Sequence, residues 1–462
     1  MSDLKEEYLS GWGNIPMVRG KIAFAHDEGD VSRALKNGSL ISRGKGRSYA
    51  DQATNNGELV LKMEKMNRFI SFDPGTGILT AQAGVTLAEI INVFAPRGWF
   101  TMINPGTKYV TLGGAIANDI HGKAHHADGS FVNSVIEFTI MLADGRVLTA
   151  SREENDDLFW ANFGGLGLLG AILTVTLKLR KVETTYFSQK AIVARNLEEM
   201  MDALDETEQT YRHSVAWIDS LAKGKNLGRG VLTVGNEARF DELPPKLQKD
   251  PLAVGAKPKI TVPVYLPSFT LNKLTISVLN SVLHYLQSHG KPFTHYDSFL
   301  FPLDAINEWN KGYGKRGFIQ YQFVVPEEGG RESVRRIMKE ITESDCKPFL
   351  NVLKKFGEAS GGPLSFPMKG YTFAIDFPIT DQLEPFTKRL DEMVLDAGGR
   401  IYLGKDAFLD MDMFRKMYPN YGEWMKVKQK YDPEWHFNSD IGRRLLHTEH
   451  IPLDDTGMKS TI

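Results

Sequence analysis

Short runs in which apolar and polar residues alternate recur from Ile22 to Lys181, and segments with helical spacing separate them. The run FISFDPGTGILTAQAGV predicts two strands joined by a turn at Asp73–Gly75. SVIEFTIMLADGRVLTA predicts a hairpin that turns at Asp144-Gly145, and AILTVTLKL predicts a further half-buried strand. This part of the chain is therefore expected to interleave strands with helices.

Two helices carry clear start signals. Thr86 and Glu89 provide the capping box of one helix. A second region begins near Glu183 with the strand TTYFSQKAIVA, and Asn196 is placed to cap the helix that follows. The apolar face of that helix consists of Leu197, Met200, Met201 and Leu204.

The pattern weakens from Lys246 to Phe301, where the chain is largely apolar and interrupted by prolines. The pattern favours an ordinary connection with one core helix. The alternative is a mobile flap over an apolar ligand, in which Lys257, Lys259 and Lys273 would lie near lipid phosphates.

Composition indicates a globular chain of two domains, since 462 residues exceed one ordinary core. The 55 basic and 57 acidic residues nearly balance, which gives no electrostatic reason to expect a nucleic-acid partner. The N-terminus lacks the apolar core of a signal peptide, and no apolar run approaches the roughly 20 residues of a membrane-spanning helix. The single cysteine, Cys346, excludes an intramolecular disulfide. We therefore expect a cytoplasmic protein with at most peripheral membrane contact.

The stretch NPGTKYVTLGGAIANDIHGKAHHADGS is rich in glycine and histidine. His121, His125 and His126 do not follow the zinc-protease pattern, because Gly122 stands where that pattern needs glutamate and no cysteine cluster adds ligands. Gly122-Lys123 is not a Walker loop, since the upstream glycine is missing. We predict no metal site.

GGLGLLG, at Gly164–Gly170, contains GxGxxG but follows a predicted helix and precedes a strand, the reverse of a dinucleotide fingerprint. It is one of three glycine-rich turns, with RGKGRSYAD and NPGTKYVTLGGA. Consecutive backbone N–H groups in such turns form a concave site for anions such as a diphosphate.

These turns, together with LFWANFGGLGLLG, EWNKGYGKRGFIQYQFVVP, IDFPI and GGRIYLGKD, resemble the vanillyl-alcohol-oxidase-type family of FAD-dependent oxidoreductases almost end to end. The resemblance implies an α+β fold with two domains, of which the second has an antiparallel sheet. It assigns residues 1–183 to FAD binding, 184–399 to substrate binding, and 400–462 to a return to the first domain.

The resemblance also implies which residues lie along FAD. In the first turn these are Arg43, Gly44, Lys45, Gly46, Arg47, Ser48, Tyr49, Ala50 and Asp51. In the second they are Pro105, Gly106, Thr107, Thr111, Leu112, Gly113, Gly114, Asn118, Asp119, Ile120, His121 and Gly122. Gly167, Ile172 and Tyr402 complete the set. The diphosphate is expected at Gly44, Gly46, Ser48 and the backbone of Thr111–Gly114.

Arg47 marks a departure from many family members, which carry a histidine there and link it covalently to the flavin. Arginine cannot form that bond. We therefore predict non-covalent FAD and a fixed cation at this position.

The implied chemistry is oxidation of a carbinol, in which a hydride passes to the flavin and the hydroxyl loses a proton. A developing alkoxide favours a nearby cation or base. Lys405 is expected to stabilise the alkoxide or a phosphate-bearing substrate, Trp217 to form an apolar wall, and the identity of the base stays open. The residues that match the family's pocket are Lys405, Tyr402, Gln322, Gln320, Lys354, His121, Lys123 and Tyr49.

The resemblance implies a polyprenyl-phosphoryl pentose as substrate. Its 2-keto product would pass to a partner short-chain reductase, completing an epimerisation in cell-wall arabinan synthesis. The alternative is a free sugar, an alditol or a sugar lactone. Ala374, Thr372 and Val215 keep it open, because they replace a cysteine, an asparagine and a serine of the resembled pocket.

Overall fold

The structure, a computed structural model, describes residues 4–255, 260–267, 270 and 272–447. Its first sheet has the strand order β1–β2–β4–β3, in which β4 runs parallel to both β2 and β3 and β1 is antiparallel to β2. The strands are Lys5–Leu9 (β1), Val18–Phe24 (β2), Leu40–Arg43 (β3) and Leu59–Lys62 (β4).

The second sheet is antiparallel and centres on β10, which pairs with β6, β7 and β8. Its strands are Phe69–Asp73 (β5), Ile78–Gln82 (β6), Trp99–Thr101 (β7), Val135–Met141 (β8), Val147–Ser151 (β9) and Ala171–Lys181 (β10). The predicted turn at residues 73–75 joins β5 to β6, and Asp144-Gly145 lies in the hairpin of β8 and β9. Both predictions are confirmed.

Short helices lie between successive strands within these two sheets. They are Glu28–Ala34 (α1), Leu87–Phe94 (α2), Leu112–Ala117 (α3), His125–Asp128 (α4) and Asp156–Asn162 (α5). The predicted capping box of α2 is confirmed, because the Glu89 N–H donates to Thr86 Oγ1 at 3.2 Å and the Thr86 N–H donates to Glu89 Oε2 at 2.8 Å.

The third sheet is antiparallel and has the order β15–β11–β13–β12–β18–β19–β17–β20. Its strands are Tyr186–Ala194 (β11), His213–Ile218 (β12), Gly230–Glu237 (β13), Phe293–His295 (β15), Phe318–Pro326 (β17), Asn351–Phe356 (β18), Gly370–Pro378 (β19) and Arg400–Ile401 (β20). A separate parallel pair consists of Ile260–Thr261 (β14) and Ile306–Asn307 (β16).

Helices cover one face of this sheet and leave the other for a cavity. The helices of this part of the chain are Leu197–Thr207 (α6), Pro245–Gln248 (α7), Lys273–Ser288 (α8), Tyr296–Leu300 (α9), Gly330–Glu343 (α10) and Leu383–Asp396 (α11). The apolar sides of α6, α10 and α11 join the main core with the buried side chains of the sheet. Asn196 caps α6 as predicted, by accepting the Glu199 N–H at 3.0 Å.

The expected core helix within residues 246–301 is α8, and that expectation is wrong in part. Ile276 and Asn280 are buried against the sheet domain, and Asn280 Nδ2 donates to Asp219 Oδ1 at 2.7 Å. The opposite face is apolar and exposed at Leu274, Val278, Val282 and Tyr285. Lys257 and Lys259 lie outside the described residues, as does the side chain of Lys273.

After β20 the chain forms Met411–Met417 (α12), Tyr421–Tyr431 (α13) and Asp440–Leu445 (α14). Lys428 on α13 donates to the carbonyls of Leu168 and Phe437 at 2.6 and 2.8 Å, which ties α13 to the third glycine turn. β20 itself pairs with β17 of the third sheet. The described part of the chain contains no helix with both the length and the apolar character needed to cross a bilayer.

Candidate active site

A cavity of about 1110 Å³ lies between the three glycine turns and the open face of the third sheet. Most of the predicted cofactor residues line it. They are Gly44, Lys45, Gly46, Arg47, Ser48, Tyr49, Pro105, Gly106, Thr107, Thr111, Gly113, Gly114, Asn118, Ile120, His121, Gly122, Gly167, Ile172 and Tyr402. The fold therefore brings three segments that are distant in sequence to one surface.

Five residues predicted to contact the cofactor do not line the cavity. Arg43 turns away and donates to the Ser10 and Ala53 carbonyls at 2.7 and 2.9 Å. Ala50 and Leu112 are buried in the protein interior. These residues support the turns from behind.

The two acidic residues in that set are structural as well. Asp51 accepts from Arg444 at 2.9 Å. Asp119 is fully buried and accepts from Ser130 and Ser360 at 2.8 Å, which fixes the chain just before His121. Burial raises the pKa of both carboxyl groups, although their donors oppose that effect.

The first turn fits a diphosphate. Within the described residues, the N–H groups of Lys45, Gly46 and Arg47 donate to no protein acceptor, so they are available to a ligand. Gly46 has φ +61°, and a Cβ at Gly44 would lie 2.2 Å from Thr111 Oγ1. Such a concave row of N–H groups is an anion site.

Three of the four backbone N–H groups that we expected from the second turn for the diphosphate already have protein acceptors. The Leu112 and Gly113 N–H groups donate to the Val85 and Ala83 carbonyls at 2.9 Å. The Gly114 N–H donates to Thr111 Oγ1 at 3.3 Å. These glycines instead let the backbone come close to the cavity without side chains.

Arg47 lies over Trp12, with 3.9 Å between the guanidinium carbon and the ring centroid. Burial lowers its pKa, and the charge of Asp304 opposes that shift. Both Trp12 and Asp304 line the cavity, and sequence reasoning had assigned a site role to neither.

A hydrogen-bonded network starts at Lys405 on the sheet side of the cavity. Lys405 Nζ donates to Gln320 Oε1, and Gln320 Nε2 donates to Asp376 Oδ1 at 2.5 Å. Tyr313 donates its hydroxyl to Asp376 Oδ2 at 2.9 Å. The network thus places an ammonium group and a carboxylate at either end of one glutamine amide.

Asp376 belongs to this network, although the sequence predicted no role for it. It is fully buried on β19, directly opposite Gln320 of β17 in the antiparallel register. The signal was present in FAIDFP, because a lone aspartate in an apolar strand needs a buried partner.

Burial lowers the pKa of the Lys405 ammonium, the nearby charge of Lys354 lowers it further, and Asp376 opposes both. Burial likewise raises the pKa of Asp376. A lysine whose pKa moves toward neutrality can hold an alkoxide and can also exchange its proton. Lys405 is therefore suited to stabilise an alkoxide or to exchange a proton with a bound hydroxyl group.

Gln322 is buried behind the cavity surface, contrary to the expectation that it contacts substrate. Its Nε2 lies 3.1 Å from His121 Nε2 and donates to Thr372 Oγ1 at 3.1 Å. Burial lowers the pKa of His121 well below its usual range, so the imidazole is neutral and can accept from Gln322. Gln322 therefore orients His121.

Two tyrosines complete the polar end. Tyr402 donates its hydroxyl to the Asn118 carbonyl at 3.0 Å, which joins the sheet domain to the second glycine turn. Tyr49 packs edge-on against Phe318, with 5.4 Å between ring centroids. Burial raises the pKa of both phenols, so both are neutral donors.

The remaining predicted lysines also line the cavity. Lys123 donates to the Phe299 carbonyl, and burial together with the charge of Lys354 lowers its pKa to about 7. Burial lowers the pKa of Lys354 to about 8. Within the described residues, no group of three or more His, Cys, Asp or Glu side chains is arranged to hold a metal ion.

The far end of the cavity is apolar. Trp217 forms part of its wall, as predicted, beside Val215 and Ala374. Leu279, Leu283 and Leu286 of α8 continue this wall, and Leu286 is also exposed at the outer surface.

The glycine-built turn that faces a buried lysine network is compatible with an FAD-dependent oxidoreductase, the class that the sequence predicted, and comparisons with known proteins show that class. A family model described as "FAD binding domain" matches residues 21–151, and one described as "D-arabinono-1,4-lactone oxidase" matches residues 315–445. The chain is 41% identical to the decaprenylphosphoryl-beta-D-ribose oxidase of Mycolicibacterium smegmatis, over 95% of this chain and 97% of the relative. The chain belongs to the vanillyl-alcohol-oxidase-type family of FAD-dependent oxidases.

More distant relatives are named for sugar lactones. The L-gulono-1,4-lactone dehydrogenase of Mycobacterium tuberculosis is 22% identical over 90% of this chain and 92% of the relative. The L-gulonolactone oxidase of Mus musculus is 34% identical over 35% of this chain and 36% of its own length.

Proposed function

We propose that the protein oxidises the C2 hydroxyl of a polyprenyl-phosphoryl pentose to a 2-keto sugar. The observation that supports this most strongly is a single cavity that joins a polar lysine network to an apolar wall. A lipid-linked sugar has the same two parts. The identity to the mycobacterial oxidase over 95% of the chain favours the same substrate class.

FAD held by the glycine turns would supply the acceptor for the hydride of the carbinol carbon. Lys405 holds the carbinol oxygen and stabilises the negative charge that forms as its proton leaves. Gln320 and Asp376 fix the position of the Lys405 ammonium group. Tyr402 and the Gln322–His121 pair hold the second glycine turn against the sheet.

The glycine turns are proposed to hold FAD without a covalent bond. The three free N–H groups of Lys45–Arg47 bind the diphosphate, and the Arg47 cation lies at the same end. Arg47 offers no atom for the flavin link that a histidine makes.

The prenyl chain is proposed to leave the cavity along α8. Ligand pockets measure roughly 300–1,000 Å³, and this one must also contain FAD, so a long tail has to leave it. Val215 and Trp217 lead to Leu279 and Leu283, and Leu286 reaches the exterior. The exposed apolar face of α8 supports peripheral contact with the cytoplasmic face of a membrane, which we also propose.

The keto product implies a reductase that returns a hydride to C2 from the opposite face, and we propose a short-chain reductase as partner. A second candidate function is oxidation of a free sugar, an alditol or a sugar lactone. The match of residues 315–445 to the lactone oxidase model favours it, as do Ala374 and Val215 in the cavity wall. Thr372, expected in the same pocket, is fully buried and does not line the cavity.

Substrate comparison with an artificial electron acceptor tests this proposal. We expect kcat/KM for a farnesyl-phosphoryl pentose to exceed that for free pentose and for a gulonolactone by at least about 100-fold, which one lost recognition group can produce. Trapping the product with borodeuteride should place deuterium at C2. A preference for the lactone, or deuterium at another carbon, would favour the second function.

A further inference from the structure

Two neighbouring lysines on β18 have opposite surroundings. Lys355 points to the helix-covered side of the sheet, where its Nζ lies 2.9, 2.7 and 2.7 Å from Asp205, Glu208 and Glu327. Lys354 points to the cavity, because successive side chains of a strand face opposite sides. No carboxylate among the described residues forms an ion pair with it.

This contrast has an electrostatic consequence. The three carboxylates raise the pKa of Lys355, whereas burial lowers that of Lys354 to about 8. A desolvated cation without a counter-charge is unfavourable, and an anionic ligand beside it would remove that cost. Protein carboxylates neutralise the charge of Lys355, whereas the charge of Lys354 is available to an anionic ligand.

The position of Lys354 indicates which ligand group it meets. Across the sheet, β17 carries Gln320 of the Lys405 network, β18 carries Lys354, and β12 carries Trp217 of the apolar wall. Lys354 therefore adjoins the strand that carries the apolar wall, and because its charge lowers the pKa of Lys405 it also lies within electrostatic reach of the polar network. In a lipid-linked sugar, the group between the sugar and the hydrocarbon is a phosphodiester.

Lys123 faces the same part of the cavity. The charge of Lys354 lowers its pKa, so the two ammonium groups lie within electrostatic reach of each other. The free N–H groups proposed for the FAD diphosphate belong to the first glycine turn, at Lys45, Gly46 and Arg47. The two lysines are therefore not needed for that diphosphate.

We propose that Lys354, assisted by Lys123, forms a site for a monoanionic phosphodiester, the group that links pentose and prenyl chain in the substrate. The identity of the diester rests on the proposed function. Two lysines therefore have different roles: Lys405 binds the reacting hydroxyl, and Lys354 binds the phosphodiester.

The test uses FAD-loaded enzyme and two matched ligands, geranyl-phosphoryl pentose and the neutral geranyl pentoside. The concentration dependence of anaerobic flavin reduction yields a Kd and a limiting rate for each. Lys354→Met should raise Kd for the phosphoryl ligand roughly 10- to 100-fold, the range for one lost charge-assisted hydrogen bond. Its Kd for the neutral pentoside and its FAD content should stay at wild-type values, and the comparison rests on Kd because removing Lys354 also raises the pKa of Lys405.

Lys369→Met is the matched control, because Lys369 lies just before β19 with a side chain that is 53% exposed. It should change neither Kd. Equal weakening of both ligands by Lys354→Met, unchanged binding of the phosphoryl ligand, or loss of FAD would overturn the proposal.

A pH series on the wild-type enzyme tests the site without mutation. A phosphodiester keeps one negative charge across this range, so its affinity should fall as pH rises through about 8, where Lys354 loses its proton. The other titratable groups near Lys354 are His121, His125, Lys123 and Lys405. Lys354→Arg should keep tight binding to higher pH, and an unchanged profile in that variant would contradict the assignment.

Calorimetric binding separates this proposal from the proposed function. If the wild-type enzyme binds the diester through Lys354 but does not oxidise it, the anion site stands and the proposed function fails. If the enzyme oxidises it while Lys354→Met binds it normally, the proposed function stands and the anion site fails.

Discussion

Replacing Lys405 by alanine removes the ammonium group that we place beside the reacting hydroxyl. Lys405 Nζ donates to Gln320 Oε1 and its side chain lines the cavity. Two unit charges 4 Å apart interact by about 4 kcal/mol at an effective dielectric constant near 20. That energy corresponds to a rate effect on the order of 1,000-fold.

The 1,000-fold rate effect is an upper limit. Burial and the charge of Lys354 lower the pKa of Lys405, so only part of the enzyme carries a protonated Lys405. We therefore expect Lys405→Ala to slow flavin reduction by at least roughly 100-fold, the range for one preorganised stabilising group. FAD should stay bound, since the N–H groups of Lys45, Gly46 and Arg47 in the first glycine turn are distant in sequence from Lys405, which donates to Gln320.

The assay is anaerobic stopped-flow mixing of FAD-loaded enzyme with substrate, read as loss of flavin absorbance. Lys416→Ala, which removes a lysine that does not line the cavity, serves as control and should reduce at the wild-type rate. A Lys405→Ala enzyme that retains FAD and reduces within threefold of wild type would refute the role of Lys405.

Three further predictions address the cofactor, the fold and the lipid path. Acid precipitation should leave yellow FAD in the supernatant, because Arg47 cannot link it; colour that stays in the pellet would show a covalent bond. Arg444→Met should lower the free energy of unfolding at pH 7 by about 3 kcal/mol, since Arg444 bridges the buried Asp51 and Asp406. Loss of Arg444 raises the pKa of Asp51 further above its value in the unfolded chain. The loss of unfolding free energy, measured by urea titration, should therefore shrink as acid protonates Asp51. A difference between variant and wild type that stays constant with pH would contradict this role of Arg444. Limited proteolysis of the free enzyme should cut first within residues 246–301, and prenyl-phosphoryl sugar or detergent micelles should protect that segment. Deleting its central part should impair turnover of a long-tailed substrate more than of a short-chain analogue, and equal loss for both would make the segment ordinary core.

Strands and helices were predicted correctly where the pattern involves residues that are close together in the sequence. Alternation located β5, β6, β8, β9 and β10, and the capping box located α2, because each depends on residues a few positions apart. The family resemblance supplied the glycine turns and most of the cavity wall. These parts of the structure required no knowledge of how distant segments pair.

The errors concern contacts between distant segments. Asp51 looked like a cofactor residue, yet its partner Arg444 lies 393 positions away. Asp376 was missed because only the register of β17 with β19 sets it opposite Gln320. The apolar composition of residues 246–301 favoured one core helix but could not show that Leu274, Val278, Val282 and Tyr285 of α8 face outward.

We propose a lipid-linked pentose as the substrate. Single-turnover bleaching of the bound flavin is the most direct test of that substrate. FAD-loaded enzyme is mixed without oxygen with a prenyl-phosphoryl pentose, with free pentose or with a sugar lactone. We expect the prenyl-phosphoryl pentose to bleach the flavin completely, at a rate at least about 100-fold higher than the rates with free pentose and with the sugar lactone. Rapid bleaching by free sugar or lactone, with the prenyl-phosphoryl pentose inert, would contradict it.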